Sequence, residues 1–192
     1  MKNSVVINLS NRHVHLSQWV VGVLCGKGDT VEDSKGLGGA GQVACDGCIT
    51  RRGVKGQVDN VRVLVPTRKQ TQVEMLQSDV YKLGKTIPPV RESGKLDGSA
   101  AVELIGPAGS VMKNEGMIIA MRHIHMTPAD AADFGVKDCD VVKLRTGSKA
   151  REVVFENVII RVSPSYALEC HVDFDEGNAC GIGNGTMGEI VR

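Results

Sequence analysis

This chain of 192 residues has no marked excess of either charge: 23 Lys and Arg stand against 22 Asp and Glu, for a formal net charge of +1. A surface built to coat nucleic acid is therefore not expected, although a local cluster of cations can still hold a small polyanion. A long apolar run is missing too. The glycine-rich stretch from Gly177 to Gly188 carries no charge for only twelve residues, well short of the ~20 that a membrane helix needs. The few residues before Ser10-Asn11-Arg12-His13 read as entry into a strand and not as a secretory leader. These absences lead us to expect a cytosolic protein with no membrane partner. Without an export signal, the six cysteines are expected to be reduced. Cys45-Asp46-Gly47-Cys48 has the spacing of half a structural zinc site, but no second Cys-x-x-Cys completes it and no βαβ context supports a redox pair. Cys170 adjoins His171, and neighbours on a strand face opposite ways, which argues against a Cys-His couple.

Histidine is scarce but concentrated. The five histidines fall in three places, His13-Val14-His15, His123-Ile124-His125 and His171. The first two lie in one pattern used twice, Arg-His-apolar-His-apolar-hydroxyl: Arg12 to Ser17 and Arg122 to Thr127. On a strand, residues i and i+2 share a face about 7 Å apart, so each pair can turn onto one ion. Two pairs and a fifth histidine offer more nitrogens than one tetrahedral zinc uses, so a two-metal centre is expected.

Short apolar runs broken by Gly, Pro and Asp dominate, with little helical periodicity over long windows. Strands are expected at Val5–Asn8, Val61–Val65, Gln70–Met75, Ala101–Ile105, Met117–Arg122, Val141–Leu144, Val153–Phe155, Val158–Val162 and Ala167–Phe174. So many short strands suggest barrels or a sandwich. Three helices have start signals: Ser17 before Gln18–Leu24, Ser78-Asp79 before Val80–Leu83 with Gly84 as a stop, and Thr127-Pro128 before Ala129–Phe134. A short helix therefore follows each His-x-His motif, and the chain is read as two related β halves, 1–90 and 91–192, with segments free to exchange between them. From Gly26 to Gly56 we expect a long loop with one strand at Gln42–Ala44.

Arg68, Gln70, Gln72 and Glu74 alternate with Lys69, Thr71 and Val73. A strand would put the four polar groups on one face, where Glu74 can ligate a metal and Arg68 can grip a phosphate or carboxylate through its planar fork. A plain solvated face has the same pattern. A straight strand spreads these ends about 20 Å apart, so both reach one small ligand only if the start bends, which Pro66-Thr67 would allow. After His171 come Asp173, Asp175, Glu176 and Asn178, either carboxylates that orient imidazoles or the makings of a turn.

Together these segments resemble the PduL-type phosphotransacylases, or phosphate propanoyltransferases, of bacterial propanediol metabolism. The resemblance rests on Ser10 to Ser17, Val61 to Leu64, Arg68 to Glu74, Pro88-Pro89-Val90-Arg91-Glu92-Ser93-Gly94, Arg122 to Pro128 and His171 to Glu176. It implies a mostly β fold of two related β-barrel domains capped by short α-helices, with a two-zinc site between them. It also implies one zinc on His13, His15 and Glu74 and the other on His123, His125 and His171. Arg68 would contact phosphate as the catalytic arginine, with Ser10, Ser93 and Arg161 near the reacting groups. The implied reaction converts a short acyl-CoA and phosphate to an acyl-phosphate and CoA, reversibly. The sequence departs from the family pattern at Leu64-Val65-Pro66 and at Arg51 to Gly56, where other turns are usual. The resemblance leaves open a homo-oligomer, microcompartment shell or cargo partners, and residence in a microcompartment lumen or free in the bacterial cytoplasm. No N-terminal targeting extension is seen.

Two other readings compete. A two-metal hydrolase acting on a thioester or amide would use the same ligands without phosphate, although the barrel usually associated with His-x-His hydrolases needs a longer chain. A non-catalytic cupin-like metal site would need a Glu at short spacing after a His pair, and none is there.

Overall fold

The computed structural model describes residues 3–26, 49–52, 55–84 and 87–191. Cys45, Cys48 and the expected strand at Gln42–Ala44 lie outside the described residues. Along the chain run β1 (Ser4–Ser10), β2 (His13–His15), α1 (Gln18–Leu24), β3 (Ile49–Arg52), β4 (Gln57–Leu64), β5 (Gln72–Glu74), α2 (Gln77–Leu83) and β6 (Val90–Arg91). There follow β7 (Ala100–Ile105), β8 (Ser110–Ala120), β9 (His123–Met126), α3 (Pro128–Phe134), β10 (Val141–Thr146), β11 (Val153–Val162), β12 (Glu169–Asp173), α4 (Phe174–Cys180) and β13 (Thr186–Val191). The protein is mostly β, as its broken apolar runs imply. No helix among the described residues is long and apolar enough to cross a membrane.

The chain divides into two compact units: Met1–Asn11 with Met121–Arg192, and Arg12–Ala120. This division differs from a single cut near residue 90, because the first strand pairs with the second half of the chain. The first unit is a closed barrel in the order β1-β12-β9-β11-β10-β13. In the second unit the order is β5-β2-β4-β3-β7-β8, and an additional β5–β8 pairing joins its ends while β6 hangs on β8. The pairing senses repeat from one ring to the other. Each His-x-His strand lies parallel to one neighbour (β2–β4, β9–β11) and antiparallel to the next (β2–β5, β9–β12). The latter neighbour runs parallel to a strand from the other half of the chain (β5–β8, β12–β1). Divided at the turn between β7 and β8, the chain thus lends β1 from its first part to the barrel and β8 from its second part to the other ring.

Alternation explains the His-x-His spacing. Val14 and Ile124, the central residues, are fully buried in two separate apolar clusters, so the flanking histidines turn to the opposite face. Val14 packs with Leu16, Val21, Leu24 and Val73 in one cluster, and Ile124 with Ile7, Met126, Ile160 and Cys170 in the other.

The helices follow for local reasons. α1 has the expected bounds. In α3 the Thr127 and Asp130 side chains cap each other's backbone N–H, Pro128 opens the helix and Gly135 closes it at φ 65°. α2 starts earlier than its sequence signal: Leu76 is the N-cap, and Asp79 lies within the first turn as a buried ion-pair partner instead of a cap. α4 replaces the expected end of a strand and turn: Asp173 and Glu176 form a capping box, and Gly181 at φ 67° ends the helix. Gly177 leaves the room that this packing needs, since a Cβ there would meet Leu9 of β1 at 2.7 Å. The two runs expected at Val153–Phe155 and Val158–Val162 are one strand, β11, and β6 and β13 had no recognised signal. Cys25 at the C-cap of α1 is disulfide-bonded, against the expectation that every cysteine is reduced, while Cys139, Cys170 and Cys180 are free thiols.

Because Ile124 holds the second histidine pair through its burial, Ile124→Ala is expected to cost about 2–5 kcal/mol. Urea unfolding should show this as a lower midpoint with an unchanged slope.

Candidate metal and anion site

Strand register selects the third member of each histidine group. Across the antiparallel β2–β5 pair, His13 faces Glu74 and His15 faces Gln72. Across β9–β12, His123 faces His171 and His125 faces Glu169. Glu74 and His171 therefore occupy the same place in the two rings. In each group, His13-His15-Glu74 and His123-His125-His171, one ligand-capable atom from every residue lies within 4.8 Å of the others. Donors on one tetrahedral zinc stand roughly 3.4 Å apart, so small side-chain adjustments close either group on an ion.

Orphaned polar atoms support that fit. His15 Nδ1 and His125 Nε2 are buried without a hydrogen-bond partner. His171 Nε2 is buried 3.1 Å from Glu169 Oε1, without the alignment of a hydrogen bond. The Nδ1 atom of His123 lies 2.9 Å from the Met121 carbonyl oxygen; a donor there fixes the tautomer that leaves Nε2 as the ligand nitrogen. His13 Nε2 is 3.3 Å from Glu74 Oε2. Imidazole nitrogens and a carboxylate are the donors that zinc accepts, and the residues fit the group.

Electrostatics favour the ligating forms. Burial lowers the pKa of His15 to about 4, helped by Arg68 and His13 and opposed by Glu74. Burial likewise lowers His125 to about 3, with His123, His171 and Arg161 adding repulsion. Burial opposes the ionisation of Glu74, yet the hydrogen bond and charge of His13, the charge of His15 and a hydrogen bond from Ser93 bring its pKa down to about 2. At neutral pH these two imidazoles are unprotonated and Glu74 is charged.

A hydrogen-bonded run joins the Glu74 group to an arginine. Arg68 Nη1 donates to Ser93 Oγ at 3.1 Å, and Gln72 Nε2 is 2.8 Å from that oxygen and 2.6 Å from Glu74 Oε1. Gly94 N–H fixes the other end of the Gln72 amide, donating to Oε1 at 2.7 Å. Arg68 is not on the strand that the alternation suggested. β5 begins only at Gln72, and Arg68 lies in the preceding loop, where its N–H donates to Leu16 O at 2.8 Å. That loop supplies the bend that the spacing required.

Arg161 lies opposite His125 on β11, and its guanidinium is 5.9 Å from the Tyr166 ring, which itself stacks on His125 at 4.0 Å. Ser10 ends β1 opposite Asp173, two residues along from the Asn8–His171 pair. Asp173 caps α4, while Glu169 is the acid beside His171 and also accepts from Asn8 Nδ2 at 2.8 Å. Glu169 was missed in the sequence, although its place two residues before His171 puts it on the same strand face. Tyr166 has no signal in the sequence.

The family model described as phosphate propanoyltransferase matches residues 6–183. The chain belongs to the phosphate propanoyltransferase family. Its relatives include the phosphate propanoyltransferase of Thermotoga maritima, 46% identical over 188 residues that cover 98% of this chain and 89% of that protein. The phosphate propanoyltransferase of Lachnoclostridium phytofermentans is 47% identical over 189 residues, 98% of this chain and 86% of the relative. That of Rhodobacter capsulatus is 46% identical over 188 residues, with the same shares of 98% and 86%. The family is one of acyltransferases, and the two histidine groups and the Arg68 run all lie within its matched region.

The lowered pKa values have a consequence for the metal-free protein. The unfolded chain binds protons at His15 and His125 from the ordinary value of 6.5 downward, while the folded chain resists until about 4 and about 3. These two histidines therefore stabilise the fold fully above pH 6.5 and withdraw that stability as pH drops toward 4, while Glu176, raised by burial from 4.5 to about 7, acts in the opposite sense over part of the same window. In thermal melts of the metal-free protein between pH 6.5 and 4, His125→Ala should therefore lose less Tm on acidification than the unaltered protein does.

Proposed function

We propose that the protein is a zinc-dependent phosphate acyltransferase that interconverts a short-chain acyl-CoA and phosphate with an acyl-phosphate and CoA. The observation that carries this reading is the Arg68–Ser93–Gln72–Glu74 run, which sets an anion-gripping guanidinium beside a metal-ligating group. The names of the relatives support propanoyl as one acyl group. His13, His15 and Glu74 would hold one zinc, and His123, His125 and His171 a second. Bound zinc supplies a Lewis acid that polarises the thioester oxygen and stabilises a thiolate.

The chain's own groups do the rest. Arg68 holds phosphate through its fork, and Ser93 orients that fork by accepting from Arg68 Nη1. Arg161 and Ser10 serve the acyl-CoA. A phosphate oxygen attacks the thioester carbonyl carbon, the C–O bond forms as the C–S bond breaks, and CoA leaves as thiolate. Phosphate is already an anionic nucleophile, so no general base is required of histidines that are occupied as ligands. The carboxylate beside Ser93 is Glu74, whose pKa of about 2 makes it a poor base, which disfavours a covalent acyl-enzyme. Residence in the cytoplasm or a microcompartment lumen is compatible with this chemistry.

With propanoyl-CoA and zinc-loaded protein, free thiol should appear only when phosphate is added. Thiol release without phosphate would establish the two-metal hydrolase instead, and no release with both present would overturn the acyltransferase. Arg68→Ala should raise the KM for phosphate and lower kcat/KM by about 100-fold or more, while leaving the zinc content unchanged. Metal analysis should find about two zinc per chain, falling to about one in His123→Ala.

A further inference from the structure

The repeated motif begins with an arginine that neither metal ligation nor phosphate binding uses. We propose that Arg12 and Arg122 are positioning residues of the two metal sites, each tying a His-x-His strand to the helix that follows the strand of the third ligand. The inference rests on the reading of the two groups as metal sites.

Arg122 stands one residue before His123. Its Nε is 2.6 Å from Glu176 Oε1, its Nη1 donates to Glu156 O at 2.8 Å, and its guanidinium lies 5.2 Å from the centre of the Phe155 ring. The other oxygen of the same Glu176 carboxylate accepts from Asp173 N–H at 2.9 Å. One carboxylate thus bridges the residue before the first ligand and the backbone two residues after the third, His171. The fork is held on three sides, which sets the direction in which β9 leaves the link from β8.

The other unit repeats the ion pair, without the bond from the carboxylate back to the helix N-cap. Arg12, one residue before His13, reaches Asp79 Oδ2 at 3.0 Å, and Asp79 is only 2% exposed. Asp79 and Glu176 are both the third residue after a helix N-cap, Leu76 in α2 and Asp173 in α4. Those helices follow β5 and β12, the strands of Glu74 and His171. Lys82 adds a second cation on Asp79 at 3.0 Å. Arg12 and Met121, the residue before Arg122, are also where the chain passes from one unit to the other. A buried carboxylate that loses its arginine keeps its desolvation cost and gains a reason to move, and the third ligand moves with the helix it begins.

The test is crossed. His15→Ala leaves only the His123-His125-His171 group complete, and His125→Ala leaves only His13-His15-Glu74. In each background, zinc affinity is measured by competition with a chromophoric chelator, and the visible absorption of the cobalt-loaded protein reports ligand geometry. In the His15→Ala background, Glu176→Gln and the double variant Arg122→Met with Glu176→Gln should weaken zinc by about tenfold or more and change the cobalt spectrum. Glu176→Gln keeps an acceptor for the α4 cap, so the helix start is retained. Arg12→Met should do neither there, and in the His125→Ala background the assignments should reverse, with Asp79→Asn and Arg12→Met weakening zinc. Val142→Ala, in the barrel core away from both pairs, controls for general loss of stability. Affinities within twofold of the background, or an equal effect of Val142→Ala, would overturn the proposal while leaving the metal reading standing. Failure of both single-site backgrounds to bind zinc or cobalt would remove the metal reading itself and the proposal with it.

Discussion

A pair of histidines separated by one residue is a useful metal clamp only where the backbone beneath it cannot rotate, and here the residue between them supplies that restraint. Val14 and Ile124 are pulled fully into apolar clusters, so both histidines are forced to the other face of the strand. The antiparallel neighbour then decides the third ligand, because a residue opposite the first histidine shares its face and its height in the ladder. Glu74 and His171 are brought in by this rule alone, though they differ in chemistry and in distance along the chain. Core burial and strand register together make a three-donor group out of residues that are far apart in sequence.

The same scaffold used twice has been filled with opposite polarity. Where the third ligand is an anion, Glu74, the residue two before it is an amide, Gln72, whose N–H₂ reaches the carboxylate. Where the third ligand is an imidazole, His171, that position holds a carboxylate, Glu169. Each third donor thus meets a neighbour of complementary hydrogen-bonding character. The charge balance would follow: a divalent ion on His13-His15-Glu74 would be partly neutralised, while one on three imidazoles would keep its full charge. Arg68 lies beside the group that carries the carboxylate, which offsets part of the repulsion between the arginine and a metal.

Much of this was legible in the sequence, for identifiable reasons. The duplicated Arg-His-apolar-His pattern and the short helix after each copy are local signals, and both helices formed where expected, although Ser17 makes no side-chain cap; the alternation leading to Glu74 became strand only from Gln72. What escaped was non-local or ambiguous. Asp-Glu-Gly-Asn after His171 is good turn chemistry, and only the reciprocal Asp173 and Glu176 bonds make it the start of α4. Asp79 looked like a helix cap because caps and buried ion-pair acids use the same side chains. Tyr166 against His125 is a tertiary contact with no spacing rule behind it. Which ring would take β1 could not be read from period-two patterning, since an exchanged strand alternates as any other does.

That exchange has a consequence for how the chain is held as one object. Up to the turn in which Gly106 N–H donates to Gly109 O at 2.8 Å, the chain contributes five strands to one ring and a single strand, β1, to the other; beyond it the proportions are reversed. Opening the peptide at that turn would leave two fragments, each one strand short of its own ring and each carrying the stave that the other lacks. Neither could close alone, and the two would be held together by the pairings of β1 with β12 and β13 and of β8 with β5, β6 and β7, as well as by buried side chains. Integrity of the protein therefore resides in this mutual lending and not only in the continuity of its backbone.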